Sequence, residues 1–336
     1  MATASALAYR ALIVDAPNGG FREVSLPTPT VGRGQVLVRV HASGVNMIDT
    51  KIRAGAAAHA GQPLPAVLGV DMAGVVEAVG AGVDAFAAGD EVYGLSGGVA
   101  GLAGSLAEFQ LVDADVLAKK PRNLSMRDAA ALPLVLITAW EGLVDRAHVQ
   151  AGHKVLVHGG AGGVGHVAVQ IARALGAEVF ATARAAQADT VRGFGATPID
   201  YTTTTVADYV AQHTGGAGFD VVYDTVGGET LDASFVAARA YGGHVVSALG
   251  WGTHKLAPLS FKAATYSGVF TLRPLLTGEG RANHGHILRE AATLIEAGHV
   301  LPLMDPRRFT LATAQPAYDD VAAGRARGRV VIDVQA

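Results

Sequence analysis

Lys154-Val-Leu-Val-His-Gly-Gly-Ala-Gly-Gly-Val-Gly165 is the stretch that decides the fold. A short apolar run, Lys154–His158, reads as a buried strand, and the pattern then changes period. Val164, Val167, Ala168, Ile171, Ala172 and Leu175 fall on one stripe of an amphipathic helix over 164–175. Between them, Gly160, Gly162 and Gly165 satisfy G-x-G-x-x-G, with Gly163 and Val164 inside the same turn. Glycines there allow a tight turn and a close approach of backbone to a pyrophosphate. The helix N-terminus adds free N–H groups and the positive end of its dipole. The strand before and the helix after are the context that the chemistry of a dinucleotide requires.

Working outward, strand and helix signals alternate. Glu178–Ala183 reads as a strand, and a helix follows near 186–194. Next come Val206–His213 as a helix, Asp220–Tyr223 as a strand, a helix near 229–239, and His244–Leu249 as a strand after the Gly242-Gly243 turn. Repeated βα units of this length build a doubly wound parallel sheet. Upstream, Gln35–His41 alternates with Val36, Val38 and Val40 on one face. Gly74–Val79 and Glu91–Tyr93 are further short strands among Gly and Pro turns, as in a β-rich, barrel-like domain. After about Ala264 the alternation ends, leaving a helix over 286–297 and a last strand over 329–334. The expected fold class is α/β. A β-rich domain takes 1–125 and 265–336, and a Rossmann domain takes 126–264.

The totals agree with two domains. The chain has 336 residues, half of them hydrophobic, and a net charge of −3, which lacks the basic footprint of a nucleic-acid binder. It contains no cysteine, which removes disulfides, thiolate nucleophiles and Cys-type zinc sites together. The longest apolar run, 129–140, is too short to span a bilayer, so a soluble, cytoplasmic protein is expected.

The second strand of the doubly wound part ends at Thr182-Ala183-Arg184, with no Asp or Glu to bond a ribose 2′-hydroxyl. Arg184 can instead fork onto a 2′-phosphate, and Tyr201 is a second candidate near it; NADPH is favoured over NADH. Leu249-Gly250 and Leu272-Arg273 are expected to flank the cofactor. Arg325, Arg327 and Arg329 read as a solvated basic face, with phosphate contact as the alternative.

Several segments resemble the zeta-crystallin-type quinone oxidoreductases of the medium-chain dehydrogenase/reductase superfamily. They are Ala42–Gly55, Leu68–Glu77, Gly89–Gly94, Ile137–Glu141, the glycine loop and Phe219–Gly227, in order along nearly the whole chain. The resemblance implies a GroES-like catalytic domain beside a Rossmann domain, a cleft for nicotinamide and substrate, and a homodimer paired through the Rossmann domain. It aligns Asn46 and Val70 with the Cys and His that bind catalytic zinc in the zinc alcohol dehydrogenases, which implies a reaction without metal. It offers Asn46 as a donor to the nicotinamide ribose or the substrate oxygen, and Lys51 as the group that stabilises an enolate or hydroquinone anion. Asp49 is offered to orient Lys51 or a water, and Thr138 to bond the nicotinamide carboxamide. The stretch carries Lys51 and Ala57 where several quinone reductases carry Tyr. The expected activity is NADPH-dependent hydride transfer to a small-molecule quinone, with a 2-alkenal or enone double-bond reductase and a non-catalytic NADPH-binding protein as alternatives; no nucleic-acid or membrane partner is expected.

Overall fold

The computed structural model describes residues 8–335. Eight strands come first: β1 (Ala8–Val14), β2 (Phe21–Pro27), β3 (Gln35–Val45), β4 (Ala66–Val67), β5 (Asp71–Val79), β6 (Glu91–Leu95), β7 (Phe109–Asp113) and β8 (Leu117–Lys119). Helix α1 (Met47–Arg53) follows β3, and α2 (Met126–Ala130) and α3 (Pro133–Trp140) follow β8. The middle of the chain holds β9 (Lys154–His158), β10 (Glu178–Ala183), β11 (Thr197–Asp200), β12 (Val221–Asp224), β13 (His244–Ser247) and β14 (Thr265–Gly268). Between these strands lie α4 (Gly165–Ala174), α5 (Ala188–Gly193), α6 (Val206–Thr214) and α7 (Glu229–Ala237). A helix over Arg281–Glu296 and the strands β15 (Phe309–Thr310) and β16 (Val330–Asp333) come last. Two compact units result. One takes the described residues up to Leu134, then Leu272–Glu296 and those from Pro302 on; the other takes Val135–Thr271 and Ala297–Leu301.

In the second unit six strands are parallel, in the order β11-β10-β9-β12-β13-β14. Counted from β9, this is the 3-2-1-4-5-6 order of a dinucleotide-binding sheet, with its crevice where the order reverses between β9 and β12. The central strands are apolar because helices cover both faces: Val155, Leu156, Val157, Val221, Val222 and Tyr223 are all buried. The sixth strand, Thr265–Gly268, lies where the sequence pattern shows no further order. It is short, polar and mostly exposed at the sheet edge, so no apolar run marks it.

In the first unit a mixed sheet runs β15-β16-β3-β5-β6-β8, with β7 also on β3, and a small antiparallel sheet runs β2-β1-β4. The last strand pairs antiparallel with β3, placing Val330 opposite Val45. This register brings Arg329 beside the start of α1. Gly44, in β3, is held to glycine by packing, since a Cβ there would stand 2.1 Å from the Ala130 carbonyl. No helix among the described residues is long and apolar enough to cross a membrane.

Candidate functional site

In the parallel-sheet unit the glycine loop runs from the end of β9 into α4. Its first N–H groups are tied to β10: Gly159 donates to Thr182 Oγ1 at 3.0 Å, and Gly160 donates to the Thr182 carbonyl at 3.0 Å. A Cβ on Gly165 would lie 2.0 Å from the Gly159 carbonyl oxygen, so only glycine allows the helix to start so close to the strand. A cavity of about 620 Å³ opens at the carboxyl ends of β9 and β10, and Gly159, Gly162, Thr182, Gln187, Tyr201 and Glu229 are among the residues that line it. This is where an open α/β sheet binds a ligand.

Arg184 follows β10 directly and is exposed, as is Tyr201. The Arg184 Nε donates to the Tyr201 hydroxyl at 3.1 Å, so the two residues singled out for a 2′-phosphate stand together. No Asp or Glu occupies the end of β10. Leu249 is half-buried and Gly250 exposed just beyond β13. These residues, with the glycine loop, suit a nicotinamide dinucleotide.

Two further side chains of this unit are not among the expected site residues. His158, the last residue of β9, is buried, and its Nδ1 lies 3.2 Å from Thr182 Oγ1 while its Nε2 has no partner. Burial pushes its pKa down to about 4, with Asp224 opposing, so the ring is neutral near pH 7. Glu141 opens a π-helical turn over Glu141–Arg146 and is pushed up to about 7, mainly by burial and then by Asp145. Its Oε2 accepts from Thr271 Oγ1 at 3.4 Å, and Thr271 Oγ1 lies 2.9 Å from Thr138 Oγ1. Thr138 is thus buried in a hydroxyl pair, and Tyr223 donates to its carbonyl at 2.6 Å.

The other expected residues lie in the mixed-sheet unit. Asn46 caps α1 and is buried. Its backbone N–H is bonded by Asp49 Oδ2 at 2.8 Å, which is the acidic residue at the third helical position closing a capping box. Asp49 therefore reaches back to Asn46, and Lys51 stands exposed on α1 without a bond to it. The Asn46 Nδ2 donates to Asp71 Oδ2 at 2.9 Å, and its Oδ1 accepts from Arg329 Nη2 at 2.6 Å. Arg329 is only 7% exposed. The expectation of a solvated basic face is corrected there: the register of β16 on β3 turns this arginine inward to Asp71 and Asn46, whereas Arg325 pairs with Asp320 at the surface. Burial raises both Asp49 and Asp71 to about 7. Arg329 opposes the rise at both carboxyls, and it is itself lowered by burial. Leu272 is buried and Arg273 exposed at the start of the short helix Arg273–Thr277.

No group of three or more His, Cys, Asp or Glu residues able to hold a metal occurs among the described residues. The two buried carboxylates nearest Asn46 already face a cation of the chain itself, Arg329. These residues do not make a zinc site.

Two family models match the chain, one described as "Alcohol dehydrogenase GroES-like domain" over residues 32–122 and one as "Zinc-binding dehydrogenase" over residues 194–332. A solved alcohol dehydrogenase superfamily protein from Novosphingobium aromaticivorans is 57% identical, with a TM-score of 0.95, covering 97% of this chain and all of that one. The chloroplastic NADPH-dependent alkenal/one oxidoreductase of Arabidopsis thaliana is 34% identical over 92% of this chain and 75% of its own length. The quinone oxidoreductase of Coxiella burnetii is 28% identical, with a TM-score of 0.81, over 98% of this chain and all of that one.

Proposed function

Because the chain belongs to the medium-chain dehydrogenase/reductase superfamily and is an oxidoreductase, we propose that it uses NADPH to reduce a conjugated carbonyl compound, a quinone or an enone, without metal. The relatives named for alkenals and for quinones support the substrate class, since both are acceptors in which a carbonyl conjugated to C=C takes up the charge. The observation that carries the cofactor choice is the Arg184–Tyr201 pair beside the glycine loop, where a carboxylate would be expected for NADH.

In this reading the backbone of Gly160, Gly162, Gly163, Val164 and Gly165 holds the pyrophosphate at the start of α4, and Arg184 with Tyr201 holds the 2′-phosphate. Thr138 takes the nicotinamide carboxamide, and Leu249, Gly250, Leu272 and Arg273 flank the cofactor. The bound cofactor supplies the hydride. Asn46 donates to a ligand oxygen, and Lys51 offers a charge to the oxyanion that develops as the acceptor is reduced. Asp49 acts on Asn46 through the helix cap. The test is loss of reduced-nicotinamide absorbance with NADPH against a panel of quinones and 2-alkenals. Absence of turnover with every acceptor despite NADPH binding would reject the enzyme reading in favour of an NADPH-binding protein.

A homodimer formed through the parallel-sheet unit is part of the same proposal. Its support is the exposed edge strand β14, together with Phe261 at 89% exposure shortly before it and Tyr241 at 86%, whose N–H donates to the Lys262 carbonyl. An unpaired strand edge with exposed aromatics invites a symmetric partner. Light scattering on the purified chain tests it: a monomer mass at assay concentration rejects it.

A further inference from the structure

We propose that Asp71 and Arg329 are positioning residues that lock the side-chain amide of Asn46 with one N–H left for a ligand oxygen; this rests on the reading of Asn46 as a ligand-facing donor. An asparagine amide has two N–H donors and one carbonyl oxygen, and its two ends look alike in shape. Here chemistry tells them apart. A guanidinium only donates, so the atom facing Arg329 Nη2 at 2.6 Å must be oxygen. With the oxygen fixed by Arg329, the atom facing Asp71 Oδ2 at 2.9 Å is the nitrogen, which donates to the carboxyl oxygen. A flipped amide would set its NH₂ against the Arg329 guanidinium, a buried donor facing a donor, which is costly.

The clamp is itself held. Asp71 Oδ1 accepts the Leu134 N–H at 2.9 Å, and the Asp71 carbonyl accepts from Ser105 Oγ at 2.8 Å. Arg329 Nε donates to the Ala131 carbonyl at 2.7 Å. The Asn46 backbone N–H is spent on Asp49. One Nδ2–H stays unspent. Asn46 is only 1% exposed, so the amide is packed in place rather than free to turn. Preorganising a donor in this way spares the cost of reorienting it when charge develops on the substrate.

The experiment compares kcat/KM for NADPH and acceptor in the full chain carrying Asn46→Ala, Asp71→Asn, both together, and Arg329→Lys, with melting curves to establish that each folds. An amide at 71 sets an NH₂ against either the Leu134 N–H or the Asn46 NH₂, so Asn46 loses its orientation. Asp71→Asn and Asn46→Ala are each expected to lower kcat/KM about tenfold, and the double variant to be no slower than Asn46→Ala alone. A purely structural role would make the losses multiply, and that result, or a folded Asp71→Asn with wild-type turnover, overturns the proposal. Should Asp71→Asn fail to fold, Arg329→Lys serves in its place. Lys cannot reach both Ala131 and Asn46, and it must show the same loss and the same non-additivity with Asn46→Ala. Wild-type turnover in Asn46→Ala would instead defeat the reading of Asn46 on which the proposal rests. Independently of turnover, protein labelled at asparagine gives the Asn46 NH₂ signals. One slowly exchanging pair in the wild type, shifted in Asp71→Asn, is expected; a rapidly exchanging or unshifted pair contradicts the lock.

Discussion

Arg184 and Tyr201 meet through an Nε–H···O bond of 3.1 Å, although the tyrosine lies beyond the next helix and strand. The bond presents a guanidinium fork and a phenol side by side at the end of β10. Replacing Arg184 with Ala is expected to raise the KM for NADPH about tenfold or more while leaving the KM for NADH within about twofold, since a 2′-phosphate is lost as a partner and a 2′-hydroxyl is not. Initial rates with each cofactor check this. An equal rise for both would remove Arg184 from the selection.

Gly165 tests the loop. A methyl group there meets the Gly159 carbonyl oxygen at 2.0 Å, a backbone atom that cannot swing away. Gly165→Ala must push α4 off the strand. The expected cost is about 1–3 kcal/mol, together with a large loss of dinucleotide affinity. Thermal unfolding and NADPH fluorescence titration read the two effects; an unaltered melt with full affinity would show that the close approach is not required.

The buried carboxyls give a pH dependence. Asp49 and Asp71 each have a folded pKa of about 7, above the ordinary 3.8. A carboxyl raised on folding contributes stability that is complete below about pH 4 and is lost as the pH rises through about 7. The charges of Asp71 and Arg329 act on Asp49, and Asp49 in turn acts on the buried Tyr318, which Arg53 also influences. Asp49→Asn keeps an oxygen to cap Asn46 but removes the charge. Its melting temperature relative to wild type is therefore expected to improve by several degrees between about pH 5 and pH 8. A difference that stays constant across this range would mean that Asp49 titrates normally.

Chelation is the direct probe of the metal-free reading. The carboxylates near Asn46 face Arg329, and no described ligand cluster suits zinc. Prolonged dialysis against a strong chelator is expected to leave turnover unchanged. Loss of activity restored by zinc would refute this.

The parallel sheet was legible because its inner strands are apolar runs and its helices keep a 3.6-residue stripe: Lys154–His158 and Glu178–Ala183 are predicted and observed with the same bounds. The polar edge strand Thr265–Gly268 was not, because nothing packs on it to impose a pattern. At the site, Arg184 and Tyr201 could be paired in advance from their positions after two neighbouring parallel strands. Asp71 and Arg329 could not be assigned to Asn46. Their contact depends on the pairing of β16 with β3 across some 280 residues of chain, and local composition made Arg329 look like one more surface arginine. Likewise the π-helical turn that begins at Glu141 sets Gly142 against the Tyr223 ring, a contact that spacing does not reveal.

NADPH-dependent reduction of a conjugated carbonyl is read out by the steady-state consumption of NADPH and of NADH with a 2-alkenal and a quinone, in the presence of chelator. Chelator-resistant turnover with at least one of the two acceptors is expected, with kcat/KM at least about tenfold higher with NADPH. Turnover that prefers NADH, or oxidation of simple alcohols that requires added zinc, would contradict it.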